Sequence, residues 1–149
     1  MMHFTKLALG AIVAASALLA HADTPEQARA LLDAAVAEAK TKGLDGAAKE
    51  FNAGGKWKQG QMYIVMANFD GLMLAHSAND KIPGKNMLEA KDAGGKEFVK
   101  ATIAAVKTGG SGQIDIRWGN PNTKQIGDAV MLAKRVPGQD AYVGTVVFK

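Results

Sequence analysis

One histidine lies among polar and basic residues in the stretch AHSANDKIPGKN, at residues 75–86, between an apolar run and a helix-like run. The other two histidines, His3 and His21, fall in the N-terminal segment. An imidazole can bind a metal ion, act as a general base or orient a small ligand. His76 is therefore the first candidate for a functional site in this sequence.

Metal binding and hydrolysis both need partners that the sequence does not supply to His76. A metal site needs several converging ligands, and only Asp70 and Asp80 lie near this histidine along the chain. Ser77 is adjacent, but neighbouring residues of a strand point to opposite faces, so Ser77 and His76 cannot be nucleophile and base. The chain also lacks a G-x-S-x-G motif and has no cysteine. We therefore expect no metal, no cofactor and no enzymatic activity.

Lysines suggest a different chemistry for the segment that follows His76. Lys85 and Lys91 flank that segment, and lysines together with free backbone N–H groups at helix starts suit a small carboxylate. The same lysines are compatible with a solvated surface, and His76 with a partly buried residue tied to a loop carbonyl. The GGK sequences at residues 54–56 and 94–96 lack the spacing of a phosphate-binding loop. The residue pattern alone leaves both interpretations open.

The first 22 residues have the pattern of an export signal, with Lys6 in a short basic start followed by an apolar core. Residues 20–22, AHA, match the small-x-small cleavage pattern. We expect cleavage after Ala22 and a periplasmic protein without a membrane span; an uncleaved anchor is the alternative. The formal net charge is +4, and no basic block is interleaved with aromatics, which argues against nucleic-acid binding.

Residues 23–149 have the length and pattern of one domain. Thr24, Pro25 and Gln27 predict the capped start of a long helix that ends at Gly43. A short helix is predicted over residues 45–51, another helix over residues 94–107, and strands over residues 61–68, 72–77, 113–118, 129–136 and 141–148. This order predicts an α+β fold: a five-stranded antiparallel sheet, with the long helix on one face and a loop-helix cover, residues 78–107, on the other.

Strand alternation predicts which side chains line the sheet beneath the cover. On the return strand, His76 is predicted to share a face with Leu72 and Leu74, at the end of an otherwise apolar row. On a later strand, the shared face is predicted to hold Ile114, Ile116 and Trp118.

The stretch MYIVMANFDGLMLAHSANDKIPGKNMLEAKDAGGKEF, residues 62–98, resembles the first half of a single Cache domain, the PAS-like extracytoplasmic sensor module of bacterial receptors. The features that carry the resemblance are a strand ending in Leu-Ala-His, a Gly-Lys-Asn loop and a Lys-Asp-x-x-Gly-Lys helix entry. GSGQIDIRWGNPNTKQ and DAYVGTVVFK resemble parts of the second half. The resemblance therefore covers nearly the whole of residues 23–149.

The resemblance implies a pocket between the sheet and its cover that takes a small organic ligand, often a short carboxylate. In this chain the implied lining residues are Tyr63, His76, Lys85, Asn86, Lys91 and Trp118. The two lysines would neutralise the carboxylate, and Tyr63 and His76 would orient it. Family members are commonly joined to a membrane helix and a signalling domain. This chain is therefore expected to act in signal transduction through a partner such as a membrane receptor or a histidine kinase.

The sequence departs from the family pattern where ligand contacts are usual. DAVMLA, residues 128–133, has neither the lysine nor the tyrosine of the family's Pro-Lys-x-x-Tyr-Val strand, and Val146 stands where glycine is common. These departures motivate an alternative function, a periplasmic protein–protein adaptor that has kept the Cache fold and lost the ligand.

Overall fold

The computed structural model describes residues 24–149, in which a sheet lies between two helical layers. The helices are α1, Pro25–Asn52, and α2, Phe98–Gly109, and the strands are β1, Lys58–Gln59, β2, Met62–Asn68, β3, Met73–His76, β4, Ser111–Gly119, β5, Ile126–Arg135, and β6, Ala141–Phe148. No helix in this range is both long and apolar enough to cross a membrane. The predicted export signal, residues 1–22, and its cleavage site lie outside the described residues.

The strands form one antiparallel sheet in the order β4, β5, β6, β2, and both β1 and β3 pair with the other side of β2. The α+β prediction with five strands is confirmed, and the structure adds the two-residue β1. The central strand β6 is buried from Ala141 to Val147 because both of its faces are covered. Its nearly continuous apolar sequence, AYVGTVVF, follows from that position.

The first helix begins where the sequence predicts, because Thr24 forms a capping box with Gln27. The Thr24 hydroxyl accepts a hydrogen bond from the Gln27 backbone N–H at 3.2 Å, and the Gln27 side chain accepts one from the Thr24 N–H at 2.9 Å. Gly43 has a φ of 74°, so α1 consists of two helical stretches that meet at the predicted break. The apolar stripe of α1 packs on one face of the sheet, together with Phe51 and Trp57.

The other face of the sheet is covered by α2 and by residues 77–97, called here the cover loop. The buried face of α2 consists of Phe98, Val99, Thr102, Ile103 and Val106. The helix starts at Phe98 rather than at Gly94 because Asp92 holds the preceding residues in a loop. Its carboxylate accepts hydrogen bonds from the backbone N–H groups of Gly94 at 2.9 Å and Lys96 at 2.8 Å.

Two sets of hydrogen bonds attach the cover loop to the sheet. Beside β3, the Gly84 N–H donates to the Met73 carbonyl at 2.8 Å, and the Met73 N–H donates to the Lys85 carbonyl at 2.9 Å. Beside β4, the Arg117 N–H donates to the second Asp92 carboxylate oxygen at 2.9 Å. The segment 75–86 therefore both connects β3 to the rest of the chain and covers the sheet.

Candidate functional site

A cavity lies between the sheet and the cover loop, where the family resemblance implies a pocket. This cavity, called the inner cleft, has a volume of about 30 Å³, which is room for roughly one or two water molecules. Apolar atoms make up nearly all of its wall. The apolar residues that form it come from the strands and the cover loop and include Val65, Met73, Met87, Ile116, Met131 and Val146.

A larger groove continues outward from the inner cleft and is open to solvent. This outer groove, of about 480 Å³, runs between cover-loop residues 78–82 and the turn after β4, residues 119–124. Four residues line both cavities and form the mouth between them: Tyr63, His76, Ile82 and Trp118. The cleft and the groove therefore adjoin at these four residues.

Three of the sequence-predicted site residues meet at this mouth. The imidazole of His76 stacks on the ring of Tyr63, with 4.7 Å between centroids and 21° between planes. Trp118 packs against Phe98, with 4.7 Å between ring centroids. Burial raises the pKa of Tyr63, and the nearby Trp118 side chain opposes that rise only in part. The phenol at the mouth is therefore neutral at physiological pH.

The imidazole of His76 is also neutral at physiological pH. Burial lowers its pKa from 6.5 to about 4, since the charged form loses its hydration. The Ala78 backbone N–H donates to Nδ1 at 3.1 Å, so the neutral ring carries its proton on Nε2. His76 therefore offers a hydrogen-bond donor at the mouth but no positive charge.

His76 faces the cleft because β3 contains a bulge, which strand alternation did not predict. The register of β2 with β3 shifts between Met66 and Ala67, so that Leu74 is an extra residue on β3. Leu74 packs on the α1 side of the sheet, and Met73 shares the cleft side with His76. The predicted shared face of Leu74 and His76 is wrong, because a bulge interrupts the two-residue period.

The neighbouring Ser77 points away from the cleft, as predicted. Its hydroxyl donates to the Trp57 carbonyl at 2.8 Å and accepts from the Ile64 N–H at 2.7 Å, on the α1 side of the sheet.

Within residues 24–149, acidic and histidine side chains form no group of three or more that could hold a metal ion. The described neighbour of the His76 ring at the mouth is the aromatic side chain of Tyr63.

The model of the family called single Cache domain 2 matches residues 11–148. The chain belongs to this family. The resemblance read from the sequence is thereby confirmed, and the helix, sheet and cover described above form the PAS-like Cache fold. None of the curated protein sequences is similar enough to count as a match.

Three solved structures share this fold over most of their length. A Cache chemosensory domain studied for carboxylic acid recognition is 20% identical, with a TM-score of 0.71 over 83% of this chain and 91% of the other. The periplasmic sensor domain of a chemotaxis protein is 19% identical, with a TM-score of 0.72 over 83% and 93%. A methyl-accepting chemotaxis protein from Vibrio parahaemolyticus is 19% identical, with a TM-score of 0.70 over 83% and 86%. At these identities the likeness establishes the fold.

This Cache domain does not bring the other three sequence-predicted residues to the mouth. Lys85 and Lys91 are exposed and line neither the inner cleft nor the outer groove. The Asn86 amide donates to the Asp70 carbonyl at 3.0 Å, and its oxygen accepts from the Leu88 N–H at 3.0 Å. Asn86 thus supports the cover loop, and a ligand contact from these three residues stays a prediction.

Sequence reasoning missed several residues that line the site. Lys81 and Lys124 line the outer groove, and Tyr142 lines the inner cleft. The sequence did contain an indication for Tyr142. It lies four residues before Val146 on the same strand, so both side chains point to the same face of the sheet. Burial raises the pKa of the Tyr142 hydroxyl, so this phenol is neutral as well. The two lysines lie in turns, where no periodicity indicates the direction of a side chain.

The low pKa of His76 predicts an acid-sensitive stability for this Cache domain. Between pH 6.5 and about 4 the unfolded chain binds a proton that the folded chain does not, so stability falls as pH decreases through this window. The loss is at most about 3 kcal/mol. His76→Asn keeps an acceptor for the Ala78 N–H and does not titrate, so we expect a flatter profile in urea denaturation from pH 7 to pH 4.5. An identical slope in wild type and variant would contradict this assignment.

Proposed function

We propose that this Cache domain is an exported sensing module that binds a small organic acid at the mouth of the inner cleft and signals through a partner protein. The observation that carries the proposal is the convergence of Tyr63, His76 and Trp118 at a cavity beneath the cover loop of a Cache fold. One structural neighbour is a Cache chemosensory domain studied for carboxylic acid recognition, which supports an organic acid as the ligand class.

The chemistry of the mouth is compatible with an anion. His76 presents an N–H donor, and Lys81 and Lys124 line the adjoining groove. Hydrogen bonds to a carboxylate are stronger than those between neutral groups. A carboxylate next to His76 would favour the imidazolium and raise its pKa above about 4, so the affinity for an acid should increase as pH falls through that raised pKa.

The partner and the compartment follow from the same proposal. Cleavage after Ala22 would place the domain in the periplasm, and a structural neighbour is a periplasmic sensor domain of a chemotaxis protein. A membrane receptor or a histidine kinase would then relay the signal. Ligand binding would act on such a partner through the cover loop, whose residues 78–82 form one side of the groove.

A thermal-shift screen tests the proposal directly. Small carboxylates, amino acids and amines are added to wild type, His76→Ala, Trp118→Phe and the control Lys40→Ala, which changes an exposed residue of α1. A bound acid should raise the melting temperature by mass action in wild type and control, and the rise should shrink in the two mouth variants. Lys85→Ala and Lys91→Ala, run beside them, test the ligand role predicted from sequence. A well-folded sample that no compound stabilises would contradict the proposal.

The small volume of the inner cleft favours a second candidate function. At about 30 Å³ the cleft admits no organic molecule unless side chains move, which fits a Cache fold that has lost its ligand. The domain would then be a periplasmic protein–protein adaptor. A specific partner recovered from periplasmic extract, together with a failed ligand screen, would favour the adaptor.

A further inference from the structure

We propose that the ligand is an amphipathic acid that binds with its apolar part in the inner cleft and its anionic head in the outer groove, at Lys81 and Lys124. This inference rests on the proposed function and adds the class of acid and its orientation. It differs from the placement expected from sequence, in which Lys85 and Lys91 hold the carboxylate.

The wall of the inner cleft suits an apolar group and not an anion. Its surface is almost entirely apolar, and no lysine or arginine among residues 24–149 lines it. An anion placed there would lose its hydration without gaining a counter-ion, which is strongly unfavourable. Met73, Met87 and Met131 line the cleft, and unbranched methionine side chains change rotamer easily to admit an aliphatic chain. The apolar end of the ligand therefore enters first.

The outer groove suits the anionic head. Lys81 and Lys124 line it, and in the described part of the chain no acidic residue does, although Asp80 is next to Lys81 in sequence. Within residues 24–149, neither lysine ammonium has an ion pair, whereas Arg117 and Arg135 are paired with Asp128 and Asp140. The groove thus holds two cations whose charge no neighbouring carboxylate neutralises.

The backbone at Lys124 provides an independent observation at the same place. Lys124 has a φ of 62°, and it is the only non-glycine residue with positive φ in the part of the chain that the structure describes. This conformation is unfavourable for lysine and readily adopted by asparagine or glycine. Its N–H donates to the Asn120 carbonyl at 2.8 Å, and the Asn120 side chain accepts from the Asn122 N–H at 2.8 Å. A hydrogen-bonded turn thus holds Lys124 in an unfavourable backbone conformation at the groove.

The orientation makes a prediction about chain length. Because Tyr63, His76, Ile82 and Trp118 line both cavities, the two adjoin, and the proposed ligand would extend from one into the other once side chains of the cleft move. Each methylene that enters the apolar cleft should increase affinity about fourfold. Isothermal titration with acetate, butanoate, hexanoate and octanoate, at constant ionic strength, should show this increase from acetate to hexanoate. Hexanamide, which has the same chain and no charge, should bind more weakly than hexanoate.

Paired charge removals locate the head of the ligand. Lys81→Gln combined with Lys124→Asn should weaken hexanoate about fivefold to tenfold and leave hexanamide unchanged, since only the anion interacts with the lysines. The asparagine also removes the strain at position 124, so the variant should fold. Lys40→Gln combined with Lys49→Gln on α1 removes the same charge from the far side of the sheet and should change neither affinity by more than about twofold.

The other outcomes separate this inference from the proposed function. Strongest binding by acetate, with longer acids excluded, would overturn the orientation and leave an acid-binding site in place. Equal binding of hexanoate and hexanamide, or a loss of affinity in Lys85→Gln combined with Lys91→Gln instead, would overturn the role of Lys81 and Lys124. The absence of binding by every acid would overturn the proposed function and this inference together.

Discussion

Gly71→Ala is expected to lower the free energy of unfolding by about 2–5 kcal/mol. Gly71 has a φ of 88°, and a β-carbon built there would lie 2.6 Å from the Leu88 Cβ and 2.9 Å from the Leu88 backbone N. The contact is with the base of a side chain and with backbone, so no rotamer change can relieve it. The cover loop would have to move away from β3, and urea denaturation should detect the loss.

Gly84→Ala is a matched control for this prediction. Gly84 has a φ of 89°, nearly the same as Gly71, but a β-carbon there would meet nothing within 4 Å. Gly84→Ala should lower the free energy of unfolding by only about 1–2 kcal/mol, which is the cost of an alanine at positive φ. The difference between the two variants measures the close approach of Leu88 to Gly71. Equal destabilisation by both variants would show that the cover loop moves at that point without cost.

Asp92→Ala is expected to lower the free energy of unfolding by about 3 kcal/mol or more. The Asp92 carboxylate accepts hydrogen bonds from three backbone N–H groups, those of Gly94 and Lys96 in the cover loop and that of Arg117 on β4. Since only 8% of the residue is exposed, water cannot fully replace these bonds. The variant should also weaken ligand binding, because this contact attaches the cover loop to the strand that carries Trp118.

Two variants make the Asp92 prediction specific. Asp92→Asn can still accept from Gly94 and Lys96, but its amide N–H then faces the Arg117 N–H, so it should recover only part of the stability. Asp128→Ala removes an aspartate whose side chain is 70% exposed and should cost at most about 1 kcal/mol. If Asp128→Ala destabilised the fold as much as Asp92→Ala, the loss of stability would come from removing a negative charge and not from losing the three hydrogen bonds to backbone N–H groups.

Asp92, like His76, should make the fold less stable in acid, but the cause of its low pKa is different. Burial alone would raise the pKa of Asp92, but the hydrogen bonds from Arg117, Lys96 and Gly94 and the charge of Lys96 outweigh it and lower the pKa below 3.8. Its stabilising contribution is therefore complete above pH 3.8 and is lost as pH falls through the lower folded value. Comparing wild type with Asp92→Asn at pH 7 and pH 2.5 should show the difference shrink in acid.

The sequence by itself determined the features of this Cache domain that depend on local pattern. The capping box at Thr24, the break at Gly43 and the row of Ile114, Ile116 and Trp118 were all predicted, because helix caps and strand alternation are properties of short segments. The grouping of Tyr63, His76 and Trp118 in one site came from the resemblance to the Cache family, and the bulge at Leu74 changed the predicted strand face of His76.

Only the tertiary structure decided which lysines face the site. Lys81, Lys85, Lys91 and Lys124 all lie in loops and turns, where the direction of a side chain depends on hydrogen bonds to residues distant in sequence. The pairing of Lys85 with β3 and the attachment of Asp92 to β4 leave Lys85 and Lys91 outside both cavities. Such long-range contacts leave no periodic pattern in the sequence. The lysines that line the outer groove can therefore be identified only from the folded chain.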